Sequence, residues 1–306
     1  MKVFLNEPIH KDAYEVLQNH YEIIDDLSHI NECKVVISRN LQLNKDFLKK
    51  CTSLKLIAIH GSGYDDVDVE YAKSQNIHLI NTPGQNALSV AELNVALMLE
   101  LSRKIYHLHN DKLNGNIQCV APIQYMGSEV SYKTAGFIGY GHVAKQTIAI
   151  LKNGFHMNIH VYSPDLTQEQ ALLDGIQNSS IDEVFMSSDY IFICCPLNQD
   201  TYRLVNHKYL SFMKNTAYII NTARGAIIDE DDLYNALYHH KIAGAGLDVM
   251  EGEPICHHHP LFNLENVIYT SHMGASTDDA LKRVGLCVVE GVIDYIEKGT
   301  TKYLVF

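Results

Sequence analysis

Short apolar runs alternate with stretches of helical spacing through the first part of the chain. Residues 3–5, 35–38, 56–59 and 78–80 read as strands, and 11–20 and 44–50 as helices. Repeated strand–helix alternation predicts a parallel sheet covered by helices. A longer helix is expected from about Ser89, where Val90, Leu93, Val95, Leu97, Met98 and Leu101 form an apolar surface broad enough for burial nearly all round. Pro83-Gly84 breaks the chain just before it, so the passage to a second domain is expected near residue 88. A second series follows, with strands at 134–138, 159–162, 190–195, 217–221, 246–249 and 267–270 and a helix over 142–151 behind a glycine turn. Asp229 reads as an N-cap, with Glu230, Asp231 and Asp232 at the helix's positive end. The last helix, about 277–297, places Leu281, Val284, Val288, Val292 and Ile296 at helical spacing. It can return the chain to the first domain, which is then discontinuous.

Composition narrows the function. A chain of 306 residues, 46% of them apolar, is long enough for two domains. A net charge of -12 disfavours a nucleic-acid partner. No run approaches the ~20 apolar residues of a membrane span, and no signal peptide is expected, since Met1-Lys2-Val3-Phe4-Leu5-Asn6-Glu7 has no apolar stretch long enough for one. The seven cysteines include no CxxC, and Cys194-Cys195 lies in an apolar run. Buried reduced thiols, and hence a cytoplasmic setting, are expected.

Two constellations carry chemistry. Gly139-Tyr140-Gly141-His142-Val143-Ala144 follows a strand, opens a helix and belongs to a βαβ unit. That context makes it a dinucleotide-binding turn: Gly139 for the tight bend, Gly141 for pyrophosphate approach, the helix N-terminus for its free N–H groups. After the next strand the chain reads Tyr162-Ser163-Pro164-Asp165, with Ser163 at the place where a carboxylate reads ribose hydroxyls. No Lys or Arg stands nearby for a 2′-phosphate, so NAD is expected, with NADP left open. The second constellation is Arg224, Glu253 and His272, each just past a strand, where parallel sheets line their ligand crevices. A cation, a carboxylate and an imidazole together suit polarising and deprotonating a small acid.

On these motifs the chain resembles the D-isomer-specific 2-hydroxyacid dehydrogenase family, in its phosphoglycerate dehydrogenase-like branch. The resemblance covers nearly the whole chain. It includes Gly61-Ser62-Gly63-Tyr64-Asp65-Asp66-Val67-Asp68, Asn81-Thr82-Pro83-Gly84, Asn221-Thr222-Ala223-Arg224-Gly225, Leu247-Asp248-Val249 with Glu251-Gly252-Glu253-Pro254, and Ser271-His272-Met273-Gly274-Ala275-Ser276. It implies an α/β fold of two Rossmann-like doubly wound parallel-sheet domains with the active site in the cleft between them. Residues 1–88 and 277–306 would form the substrate-binding domain and 89–276 the NAD(P)-binding domain. It further implies a homodimer joined through the cofactor domain, partly by residues 89–125. Cofactor contacts are expected at Gly139, Gly141, His142, Val143, Ser163, Pro196, Thr201, Thr222, Ala223, Asp248 and Gly274, and substrate contacts at Ser62, Gly63 and Arg224.

The chemistry expected is reduction of a 2-keto acid or the reverse oxidation. Arg224 would hold the carboxylate and polarise the carbonyl, because its planar fork offers paired donors. His272 would move the proton, and Glu253 would orient its ring. The chain departs from the family in having no tryptophan and in placing Cys194 where histidine is frequent. Ser38 and Ile59 stand where phosphoglycerate-specific relatives tend to place arginines, and Arg39 is one position off. A smaller, unphosphorylated acid is therefore expected, with D-3-phosphoglycerate oxidation and a non-enzymatic NAD(H)-sensing role as alternatives. Formate oxidation fits less well, since that branch pairs its histidine with an amide. The run His257-His258-His259 invites a metal reading, but adjacent side chains diverge and hydride transfer needs no metal.

Overall fold

A computed structural model describes all residues, 1–306. The chain divides into two compact units: Met1–Ser89 with Ala275–Phe306, and Val90–Gly274.

The first unit runs β1 (Lys2–Leu5), α1 (Lys11–His20), β2 (Glu22–Ile24), β3 (Val35–Ser38), α2 (Lys45–Leu48), β4 (Leu56–Ile59), α3 (Val69–Ser74) and β5 (His78–Ile80). Its five strands are parallel in the order β2-β1-β3-β4-β5. Side chains alternate across this sheet, as the two-residue strand period requires. Phe4, Val36, Ile57 and Leu79 pack to one side with Leu43, Leu48 and Ala72. Val3, Val35, Ile37, Leu56 and Ala58 pack to the other, against Ala13 and Leu17 of α1 and Val288, Val289 and Val292 of the last helix.

The long helix α4 (Ala87–Arg103) carries the chain across the division at Ser89. The second unit continues with α5 (Ile105–Leu113), β6 (Thr134–Ile138), α6 (His142–Phe155), β7 (Asn158–Tyr162), α7 (Gln168–Asp174), β8 (Gln177–Asn178), α8 (Ile181–Ser187) and β9 (Tyr190–Ile193). After these come α9 (His207–Phe212), β10 (Tyr218–Asn221), α10 (Glu230–Tyr238), β11 (Gly244–Leu247) and β12 (Val267–Tyr269). Helix α11 (Asp278–Lys298) then belongs to the first unit. The second sheet has seven parallel strands in the order β12-β11-β10-β9-β6-β7-β8. The strand order reverses between β6 and β9, which makes their carboxyl ends the topological switch point. Phe137 and Phe192 stack there at 4.9 Å between ring centroids.

The architecture is the α/β one expected, with local corrections. Strand β11 begins and ends two residues earlier than 246–249, so Asp248 lies past its end, free to bond the following loop. Strand β9 stops at Ile193, two residues ahead of 195. Helix α6 runs on to Phe155, where His156 closes it in the left-handed conformation. Helix α4 is not buried nearly all round. Ala87, Val90, Ala91, Asn94, Leu97, Met98, Leu101 and Ser102 form its buried stripe, with Ser89 buried beside it, while Leu93, Val95 and Leu99 are only partly covered.

Candidate active site

The glycine turn is held between fixed supports. Gly139 leaves β6 at φ +102°, and a Cβ there would lie 2.7 Å from the Cys194 carbonyl oxygen at the end of β9. Its N–H donates to the Tyr162 carbonyl at 2.8 Å, tying it also to the end of β7. Gly141 is the N-cap of α6, offers no side-chain cap and has open space where a Cβ would stand. The first-turn amides of a helix have no intrahelical acceptor. His142 and Val143 begin that turn. An uncapped helix start behind an open glycine, at a topological switch point, fits the pyrophosphate of a dinucleotide. Ser163 directly follows β7, and the stretch 158–178 contains no Lys or Arg.

A buried polar thread supports this turn. Asn94, 1% exposed on α4, donates to Thr147 Oγ1 of α6 at 3.1 Å and accepts from Thr222 Oγ1 at 3.0 Å. Sequence reasoning passed over Asn94; its one signal was an amide on the apolar stripe of α4. The hydroxyl of Thr201, expected at the cofactor, is spent on its own turn, donating to the Pro196 carbonyl at 2.7 Å and accepting from the Asn198 N–H at 2.8 Å.

The loops after β10, β11 and β12 meet one another. Asn221 shapes the first: Oδ1 accepts from the Ala223 N–H at 3.0 Å and Nδ2 donates to the Arg224 carbonyl at 2.9 Å. Arg224 is partly buried, with Nη1 donating to the Ala223 carbonyl at 2.6 Å. Gly225 lies so close to the second loop that a Cβ would sit 2.0 Å from the Met250 carbonyl carbon. That contact brings the arginine-bearing turn against the segment that carries Glu253.

Asp248, 1% exposed, organises the third loop. Its Oδ1 accepts from Thr270 Oγ1 at 2.6 Å and the Met273 N–H at 2.7 Å, its Oδ2 from the Gly274 N–H at 2.8 Å, and its carbonyl from the His272 N–H at 2.6 Å. These bonds hold Ser271 and His272 at φ +46° and +56°, left-handed conformations that a non-glycine residue adopts only when its surroundings impose them. Both carboxylate oxygens therefore bond the chain's own loop, at a residue expected to meet the cofactor.

Glu253 faces His272. Its Oε1 accepts from the Met250 N–H at 2.9 Å, and its Oε2 lies 2.7 Å from His272 Nδ1. Burial alone would push the Glu253 carboxyl up. Its bonds to His272 and Met250, with the nearby charge of Arg224, outweigh this and hold it below the usual carboxylate range. An ionised carboxylate only accepts, so the imidazole proton on this side resides on Nδ1.

In the first unit, Ser62 and Gly63 lie just beyond β4. Asn81 Nδ2 donates to the Ser62 carbonyl at 2.7 Å, and Thr82 donates to the Gly61 carbonyl through both N and Oγ1, at 2.9 and 3.0 Å. In the histidine run, His259 Nε2 is 3.2 Å from Glu230, and the rings of His257 and His258 lie 3.8 Å apart.

Residues 95–274 match the family model described as D-isomer specific 2-hydroxyacid dehydrogenase, NAD binding domain. The chain belongs to the D-isomer specific 2-hydroxyacid dehydrogenase family. Within this family it is 34% identical to a hydroxypyruvate reductase of Thermotoga maritima, over 95% of this chain and 97% of that one. It is also 34% identical to a D-3-phosphoglycerate dehydrogenase of Methanocaldococcus jannaschii, covering 95% of this chain but only 57% of that protein's length. The chain thus spans little more than half of the phosphoglycerate dehydrogenases it matches. Among solved structures, the TT0316 protein of Thermus thermophilus superposes with a TM-score of 0.92 at 26% identity, each chain covered in full. Membership in this family makes NAD(P) the cofactor type.

Proposed function

We propose that this chain catalyses NAD(P)-dependent hydride transfer between a small D-2-hydroxy acid and its 2-keto acid. The observation that carries the reading is the 2.7 Å pairing of His272 Nδ1 with the ionised Glu253. With Nδ1 committed, Nε2 is the ring atom left to give a proton to the oxygen on C2 in reduction and to take it back in oxidation. Arg224 binds the substrate carboxylate and polarises the carbonyl. The amides of Ser62 and Gly63 are assigned to the same carboxylate. The nicotinamide supplies the hydride in reduction and accepts it in oxidation. Gly139, Gly141, His142 and Val143 hold the pyrophosphate. Ser163, Pro196, Thr222, Ala223 and Gly274 line the rest of the dinucleotide site. NAD is preferred, on the ground of Ser163 and the absence of a cation in the stretch after β7.

A small, unphosphorylated acid is favoured because Ser38 is buried and uncharged and the Arg39 guanidinium already donates to Ser276 Oγ at 2.9 Å. The exposed apolar side chains Leu113, Val120, Ile123 and Met126 support a homodimer formed through this segment. Seven unpaired thiols support a cytoplasmic protein.

The test is oxidation of NADH and NADPH with glyoxylate, hydroxypyruvate, pyruvate and phosphohydroxypyruvate. Turnover with an unphosphorylated acid is expected. Preference for phosphohydroxypyruvate would overturn the substrate argument, and cofactor binding without any turnover would favour a sensing role. H272A should lower kcat by about 10²- to 10⁴-fold while NADH binding survives. Turnover near wild type in that variant would sink the assignment.

A further inference from the structure

The glycine turn contains one side chain that the dinucleotide motif does not require. Tyr140, between the two glycines, sends its hydroxyl to Asp174 Oδ2 at the end of α7. Asp174 is otherwise well held: Gln170 Nε2 donates to the same oxygen at 2.7 Å, and Lys152 Nζ of α6 donates to its carbonyl at 2.7 Å. Lys145 Nζ of α6 stands 4.8 Å from the centre of the Tyr140 ring. Burial and the bond to Asp174 push the Tyr140 phenol far above its usual range, so it stays a neutral donor, while the bonds from Tyr140 and Gln170 hold the Asp174 carboxyl low.

Gly139 is locked on one side by the Cys194 backbone. Gly141 meets no such wall: the space where its Cβ would stand is open. The Tyr140 hydroxyl adds a side-chain fastening on the side away from β9, beside the backbone bond from Gly139 to the Tyr162 carbonyl. It ties the turn to α7, the helix that follows the Ser163–Thr167 bend expected to read the ribose. We infer that the Tyr140–Asp174 latch is a positioning device for the cofactor: it preorganises the pyrophosphate turn and couples it to the ribose-side helix. A turn ordered before binding costs less to order on binding, so the latch contributes to affinity without touching the reacting atoms. This rests on the dinucleotide reading of the turn.

The experiment measures binding of NADH by its fluorescence and of ADP-ribose by calorimetry, with Y140F, D174N, the double variant and Q170A. ADP-ribose has no nicotinamide, so its binding is independent of any hydride chemistry. If the wild type binds neither probe, the dinucleotide reading itself fails. If it binds, Y140F and D174N should each raise both dissociation constants about 5- to 20-fold, the double variant no further, and kcat at saturating cofactor should stay within twofold. Q170A removes a bond to the same carboxylate without touching the turn and should leave both constants unchanged. Unchanged affinity in Y140F, additive losses in the double variant, or an equal loss in Q170A would overturn the latch.

Discussion

Asp248 makes the His272 loop a product of one carboxylate. Two backbone amides and a hydroxyl converge on its side chain in a place that is 1% exposed. D248N keeps the shape but turns an NH₂ group toward N–H donors whichever way the amide is placed. A buried donor left unpaired costs about 1–3 kcal/mol. D248N should therefore unfold at lower urea, by a shift in midpoint worth about that much, and lose activity through the misplaced His272. A variant with wild-type midpoint and turnover would remove Asp248 from the positioning of that loop. The proposed catalytic set, Arg224, Glu253 and His272, was read from its motif contexts, and the structure brings His272 Nδ1 to 2.7 Å from Glu253. What lay outside that reading was the scaffolding, namely Asn94, Asn221 and the pressure on Gly225. The partners of Asn94 and Gly225 are far away in the chain, and no local pattern announces a contact between residues 94 and 222.

The glycine turn shows how two identical residues in one element do different work. At Gly139 both the positive φ and the Cys194 backbone forbid a side chain. At Gly141 the backbone is extended, φ -84°, and a methyl group meets nothing in the chain. G139A is expected to destabilise the fold. G141A is expected to melt near the wild-type temperature yet bind NADH at least tenfold more weakly, because the open space is the proposed pyrophosphate site. Calorimetric melting and an NADH titration on both variants separate the two outcomes, and normal binding by G141A would mean that the open space is not the pyrophosphate site. At this scale the central strands were readable because buried parallel strands are continuous apolar runs. The short outer strands β2 and β8 escaped, since Glu22–Ile24 and Gln177–Asn178 have no fully buried residue and no apolar run. Helices α7 and α8 escaped for a related reason: each is only seven residues long. That is too short for a periodic signal.

For the molecule as a whole, His60 governs part of the response to acid. It is 6% exposed, and its Nε2 has no hydrogen-bond partner. Burial first, and then the charge of Arg39, lower its pKa from 6.5 to about 4. Between these values the unfolded chain binds a proton that the folded chain refuses. The contribution is thus fully present above pH 6.5 and is lost as the pH falls toward 4. The loss is on the order of a few kcal/mol. Urea midpoints at pH 7.5 and 5.0 should fall more steeply for the wild type than for H60Q. Parallel slopes would show that His60 already carries its proton in the folded chain.

The division of the chain has a consequence in time rather than in space. Residues Val90–Gly274 are contiguous, whereas the other unit needs α11, made only after residue 274, to complete the cover of one face of its sheet. On a ribosome the inner unit has every residue it needs before Asp278 is synthesised. The outer one must wait for α11, with Val3, Val35 and Leu56 only partly covered, by α1, on that face. Domains emerging from synthesis fold as units when complete, and exposed apolar surface in the interim invites aggregation. Nascent chains stalled with residue 274 just outside the ribosome should therefore resist protease across 90–274 and be cut within 1–89. Equal protection of both stretches would mean that the first sheet forms without its final helix.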